Sequence, residues 1–147
     1  MKNIVVQNIQ KAKESHLSQL HYIQLLVRGI KVEENKIFKS QYDCVFGQWL
    51  FGEGSQLKEH LDRSLLDEIE SLHAIWHDEY LKIYQIFFLK KSGMLTRFLG
   101  KDVEVSAMDR DRAKAYLNDL EATTERLIVK LDIIIRKAGA LGITSLK

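Results

Sequence analysis

Residues 66–80 read LDEIESLHAIWHDEY and give the clearest indication of the fold. Apolar and aromatic side chains recur there every three or four residues, and the same stripe continues to Phe87. This spacing gives a helix one face that packs against a core. Two histidines, His73 and His77, stand in the stripe at positions that apolar residues would normally take. The stretch therefore predicts a long helix, from about residue 59 to 90, that carries two imidazoles into the interior.

Three further helices are predicted around this one. Apolar residues at steps of three and four run through 5–30 and again through 113–138. A shorter helix is predicted for 44–51, and the polar stretch 31–39 is predicted to be a loop. The chain contains no proline, which breaks helix interiors. We therefore expect an all-α protein, a four-helix bundle of three long helices plus a shorter helix that carries the cysteine.

Local signals indicate where the last helix begins and ends. Ser106, followed by Asp109 three residues later, is typical of a helix N-cap with an acidic partner. Gly139 follows the last apolar position of the stripe and is predicted to be the C-terminal cap.

Length and composition limit the possible classes of protein. A chain of 147 residues with 46% apolar and 29% charged residues is predicted to fold as one domain, 1–147. The formal charge of +2 gives no indication of a nucleic-acid or membrane surface. We find no apolar run long enough to span a membrane and no secretory signal. A single cysteine excludes an intramolecular disulfide, so we expect a cytoplasmic protein.

A cysteine and three histidines form a candidate metal site. His73 and His77 are four residues apart, which turns them by only about 40° around a helix, so both can reach one point. His16 stands in the inward stripe of the first helix, and Cys44 can complete a tetrahedral set. Buried imidazoles need polar partners, and one metal ion would serve all three. Thiolate and imidazole without a carboxylate favour zinc. The predicted metal ligands are therefore His16, Cys44, His73 and His77, with no catalytic residue.

Each of these residues taken alone also fits an ordinary core position, because a buried cysteine often behaves as a small apolar side chain. The other two histidines, His21 and His60, fall off the inward stripes, so we expect both to face solvent.

Three motifs follow one another along nearly the whole chain. They are a histidine on the first helix at position 16, Cys-x-x-Gly-x-Trp at 44–49 followed by Gly-Glu-Gly at 52–54, and His-x-x-x-His at 73–77. In this order the sequence resembles the chemoreceptor zinc-binding domain family, also called CZB. The resemblance implies the same four zinc ligands, a four-helix bundle and, in many members, a homodimer. Gln19 departs from the family pattern, since many members have an aromatic residue there.

The resemblance also implies a role in signal transduction. Members usually serve as regulatory modules of cytoplasmic chemoreceptors or diguanylate cyclases, and zinc occupancy or oxidation of the zinc-bound cysteine changes the output. We therefore expect a regulatory protein rather than an enzyme, with a chemoreceptor or cyclase as the possible partner. No such domain is joined to these residues, so both a stand-alone member and a piece of a longer protein stay open.

Two alternatives compete with this interpretation. A hemerythrin-like di-iron bundle that binds oxygen would use several of the five histidines, but it also needs bridging carboxylates, and none lies in the stripe near His73. A metal-free helical interaction module would need only the apolar stripes.

Overall fold

The computed structural model describes residues 3–30, 32, 42–89 and 105–143. Within these residues every regular element is helical, so the predicted all-α class is confirmed. The elements in chain order are α1 (Ile4–Val27), α2 (Val45–Phe51), a 3₁₀ helix (Glu53–Glu59), α3 (Arg63–Tyr84), a π-helical turn (Gln85–Leu89) and α4 (Ala107–Ala140). The predicted loop at 31–39 lies outside the described residues, apart from Val32.

The three long helices begin at side-chain N-caps. Asn3 Oδ1 accepts the Val6 amide at 3.0 Å and starts α1, and Ser106 Oγ accepts the Asp109 amide at 3.1 Å and starts α4, as predicted. Asp62 accepts the Ser64 amide at the start of α3. Because Asp62 caps the helix there, α3 begins at residue 63 rather than near 59, and a 3₁₀ helix occupies the preceding stretch.

Glycines in the left-handed conformation end α1 and α4. Gly29 has φ +85° and Gly142 has φ +66°, which is the usual conformation after the last helical residue. The Ile143 amide donates to the Ala138 carbonyl at 3.0 Å and closes the end of α4. The prediction that Gly139 caps this helix was therefore wrong, because Gly139 lies inside α4, the C-cap is Leu141 and the left-handed glycine that follows it is Gly142.

The long helices share one core. Helix α4 packs along both α1 and α3, and the predicted inward positions of all three helices are buried, except Ile30, which lies beyond the end of α1. Helix α2, with seven residues, is only about 10 Å long. It packs with the 3₁₀ helix beside α1 and α3. The four-helix bundle stays a prediction, since a helix of seven residues covers only a short part of the core.

In the described part of the chain, no helix combines the length and the apolar character that crossing a membrane requires.

Candidate metal centre

Three separate helices bring the four predicted ligands together. His16 comes from the middle of α1, His73 and His77 come from successive turns of α3, and Cys44 is the N-cap residue of α2. One donor atom of each side chain lies within 4.8 Å of the others. All four side chains are buried, and none is more than 2% exposed. The four residues therefore form one buried cluster that could hold a metal ion.

The distances between donor atoms fit a tetrahedral ion. His73 Nε2 lies 3.1 Å from His16 Nε2 and 3.0 Å from His77 Nε2, and Cys44 Sγ lies 3.9 Å from His16 Nε2. At a tetrahedral zinc ion, bonds of about 2.0–2.1 Å to nitrogen and about 2.3 Å to sulfur place nitrogens about 3.4 Å apart and sulfur about 3.6 Å from nitrogen. These three contacts differ from the tetrahedral values by only a few tenths of an ångström, and all four donor atoms lie within 4.8 Å of one another.

The hydrogen-bonding pattern of His16 fixes its tautomer. His16 Nδ1 lies 2.6 Å from the Ala12 carbonyl oxygen, which can only accept, so Nδ1 carries the hydrogen. Nε2 of the neutral ring then presents a lone pair to the other histidines. A backbone carbonyl that holds the outer nitrogen in this way is the usual support for a histidine that ligates through the other one.

Hydrogen bonds alone satisfy the three imidazoles poorly. His73 Nε2 approaches two other ring nitrogens at once, at 3.0 and 3.1 Å. Because His16 Nε2 has no hydrogen, His73 must supply the hydrogen for that contact, and the same hydrogen would have to serve the contact with His77. The outer nitrogen of His73, Nδ1, is also buried and has no hydrogen-bond partner. A single cation between the rings would satisfy all the inward lone pairs together.

Burial disfavours the charged forms of His16, Cys44 and His73 when no cation is present. Burial lowers the pKa of His16, and burial together with the neighbouring His16 and His77 rings lowers the pKa of His73 to about 2. Burial raises the pKa of the Cys44 thiol, while the backbone amides of Gly47 and Phe46 lower it by a smaller amount. Neutral imidazoles have the lone pairs that a metal needs, and a divalent cation would supply the positive charge that stabilises a buried thiolate.

Three aromatic side chains lie around the cluster. Phe46 of α2 meets His73 edge to face at 5.0 Å between ring centroids, and Trp49 stacks on the far side of Phe46 at 6.1 Å. Trp76 of α3 lies 4.6 Å from the His16 ring on another side. A cavity of about 160 Å³ lies beside Cys44 between α1 and α2. Burial among aromatic side chains lowers the local dielectric constant, which strengthens electrostatic interactions at the cluster.

The remaining histidines behave as predicted. His21 and His60 are both exposed and lie outside the cluster. Among the described residues the cluster contains no carboxylate, which counts against the di-iron alternative because bridging carboxylates hold the two irons in such bundles.

Trp76 and Thr124 were not singled out from the sequence. The Trp76 indole donates to the Thr124 hydroxyl at 2.8 Å behind the cluster. The available signal was the polar Thr124 in an otherwise apolar stripe of α4.

Comparisons with family models, with curated proteins and with solved structures found no match to this chain. The fold and the cluster define the class of protein: an all-α protein with a buried three-histidine, one-cysteine candidate metal centre. The resemblance to the chemoreceptor zinc-binding domain rests on the sequence motifs alone and stays a prediction.

Proposed function

We propose that the protein binds one zinc ion per chain and acts as a zinc- or oxidant-responsive regulatory protein rather than as an enzyme. The ligands are Nε2 of His16, His73 and His77 and Sγ of Cys44. One observation carries the proposal: these four donors meet in a buried cluster within 4.8 Å of one another, with three contacts of 3.0–3.9 Å that are close to the separations around a tetrahedral ion.

Zinc is favoured over other metals by the donor set. Three imidazoles and one thiolate suit a borderline-soft ion that accepts tetrahedral geometry without preference from d-electrons. Magnesium, calcium and manganese prefer oxygen donors, and the cluster offers none among the described residues. A di-iron site would need carboxylate bridges, so the donor set supports a single zinc ion.

A regulatory role is favoured because the site would be closed. Four protein ligands leave no open position for a catalytic water. The ion would join α1, α2 and α3, so that metal binding stabilises their packing. Helix α2 has only seven residues, so its position depends strongly on the link through Cys44. Loss of the ion would free that helix, and this local change is the proposed signal.

Oxidation offers a second route to the same change. Zinc would keep Cys44 as a thiolate, the form that reacts with oxidants. The thiolate sulfur attacks one oxygen of a peroxide, the O–O bond breaks, and the other oxygen leaves and takes a proton from water. Sulfur loses two electrons and becomes a sulfenic acid, which is a poorer ligand. The cavity of about 160 Å³ beside Cys44 is large enough for hydrogen peroxide.

The output is proposed by resemblance to lie in bacterial chemotaxis or cyclic-di-GMP signalling. The partner would be a chemoreceptor or a diguanylate cyclase, and the protein would act as a four-helix bundle in a homodimer.

Elemental analysis tests the proposal directly. Protein purified without added metal is expected to contain one zinc per chain, and Cys44→Ala is expected to lose most of it. His60→Ala is the matched control, because His60 is an exposed histidine outside the cluster. Full zinc retention in Cys44→Ala would contradict the ligand assignment. Absorption in the visible range from an iron pair would support the di-iron alternative. Protein that binds no metal would support the metal-free helical interaction module.

Peroxide treatment tests the oxidant-responsive part. Hydrogen peroxide is expected to release zinc from the wild type, with a chromogenic chelator as the readout. A reducing agent is expected to restore binding, since sulfenic acid is reversible. Zinc that stays bound after Cys44 has been oxidised would argue against this part of the proposal and leave a purely zinc-responsive or structural site.

A further inference from the structure

Trp76 fills the space between the histidine cluster and α4. It is fully buried. Its ring lies 4.6 Å from the His16 ring and 5.0 Å from the His77 ring, in edge-to-face arrangements. On the same helix it stacks on Tyr80 at 5.1 Å. The orientation of Trp76 therefore helps to set the surface against which two of the candidate ligands pack.

A pair of hydrogen bonds fixes that orientation from α4. The Trp76 indole N–H donates to Thr124 Oγ1 at 2.8 Å, and the Thr124 hydroxyl donates to the Leu120 carbonyl at 2.7 Å. The hydroxyl has one hydrogen, which goes to the carbonyl, so its lone pairs face the indole. Both side chains are buried, with Thr124 only 3% exposed. Among the described residues α4 contributes none of the four candidate ligands. The hydrogen bond from Trp76 to Thr124 connects α4 to a side chain that packs against two of them.

We infer that Thr124 positions Trp76 against His16 and His77, so that a residue of α4 tunes the metal affinity of a site to which α4 gives no ligand. The inference rests on the proposed metal binding. Without the hydroxyl, a buried indole N–H would have no partner, and that loss would be relieved by turning the ring. Free imidazoles can follow a turned indole, whereas imidazoles held by an ion cannot. Removing the hydroxyl should therefore weaken the metal-bound form more than the metal-free form.

The same link works in both directions. If Thr124 affects metal affinity, metal occupancy must affect the Trp76–Thr124 interaction by the same free energy. Metal binding would then be communicated to α4 without any movement of α2. Helix α4 is the longest helix and contacts both α1 and α3, which makes it well suited to carry such a change along the molecule.

The test compares zinc affinities of three variants by competition with a chromogenic chelator. Thr124→Val keeps the side-chain shape and removes the hydroxyl, and we expect it to raise Kd about tenfold, the lower end of the range for residues that support metal ligands. Thr124→Ser keeps the hydroxyl and should bind within about twofold of the wild type. Thr123→Val is the matched control, because Thr123 is the next residue and bonds Glu79 at 3.1 Å instead of the site.

Stability must be measured in parallel on metal-free protein. If Thr124→Val unfolds more easily but binds zinc as tightly as the wild type, Thr124 is only a structural residue and the inference is overturned. An equal loss of affinity in Thr123→Val would overturn it as well. If the wild type binds no metal, the proposed function fails together with the inference. If the wild type binds zinc and Thr124→Val binds it equally tightly, only the inference fails.

A measurement on folded protein keeps the inference testable if Thr124→Val does not fold. In Trp49→Phe the only remaining indole belongs to Trp76. We expect its N–H resonance in NMR spectra to shift on addition of zinc, because ligation fixes the two imidazoles that contact its ring. An unchanged resonance at full zinc occupancy would overturn the inference.

Discussion

Lowering the concentration of free zinc is expected to lower the melting temperature of the protein. The slope of this dependence reports how many ions are bound per chain. The described part of the chain contains one cluster of four candidate ligands, so the native state should bind one ion that the unfolded chain releases. For one site, each tenfold rise in free metal above Kd adds about 1.4 kcal/mol to the free energy of unfolding. For a chain of this size this corresponds to about 3–6 °C in Tm. At a thousand times Kd the gain is about 4.1 kcal/mol.

The assay is thermal unfolding followed by circular dichroism in a series of zinc buffers. Cys44→Ala should begin to gain stability only at higher free zinc, because it lacks one ligand, whereas His60→Ala should follow the wild type. A melting temperature that stays constant across the series would refute the reasoning and support a metal-free bundle. About twice the expected slope would indicate two ions per chain, as in a di-iron-type site.

Four further predictions concern the scaffold. Gly54→Ala should cost about 1–3 kcal/mol of stability in urea unfolding, since an added Cβ would lie 2.8 Å from the Trp49 ring. Gly139→Ala, where a Cβ meets nothing within 4 Å, should instead stabilise α4 by up to about 1 kcal/mol, and a loss there would contradict the assigned helix end. Ser106→Ala should cost about 1 kcal/mol through loss of the N-cap, measured in the same way. Burial raises the pKa of the Glu79 carboxyl above its ordinary value of 4.5. The protonated carboxyl therefore contributes to the free energy of unfolding below pH 4.5, and this contribution is lost as the pH rises through the raised pKa. Glu79→Gln in chelator should therefore gain stability relative to the wild type between pH 4 and neutrality, and a constant difference would refute this.

Periodicity predicted the helices well because a helix that packs on a core repeats its inward positions every three or four residues. The inward positions of α4 from Ala113 to Ala138 are all buried as predicted. The ends were harder to predict, because several residues near each end could cap. Gly139 and Gly142 both follow the stripe, and only the backbone conformation selects Gly142. The apolar pattern likewise did not show that α3 begins at the Asp62 cap or that the residues before it form a separate 3₁₀ helix.

The amino-acid sequence by itself determined the all-α class, the inward faces of the helices and the identity of the four candidate ligands. Those properties depend on residue type and on spacing within one helix, which fixes directions around its axis. Only the tertiary structure decided that Cys44 reaches His16 and that Trp76 is held by Thr124, at separations of 28 and 48 residues along the chain. Spacing within a helix says nothing about how far two helices slide or turn against each other, and that register follows from packing of the whole core.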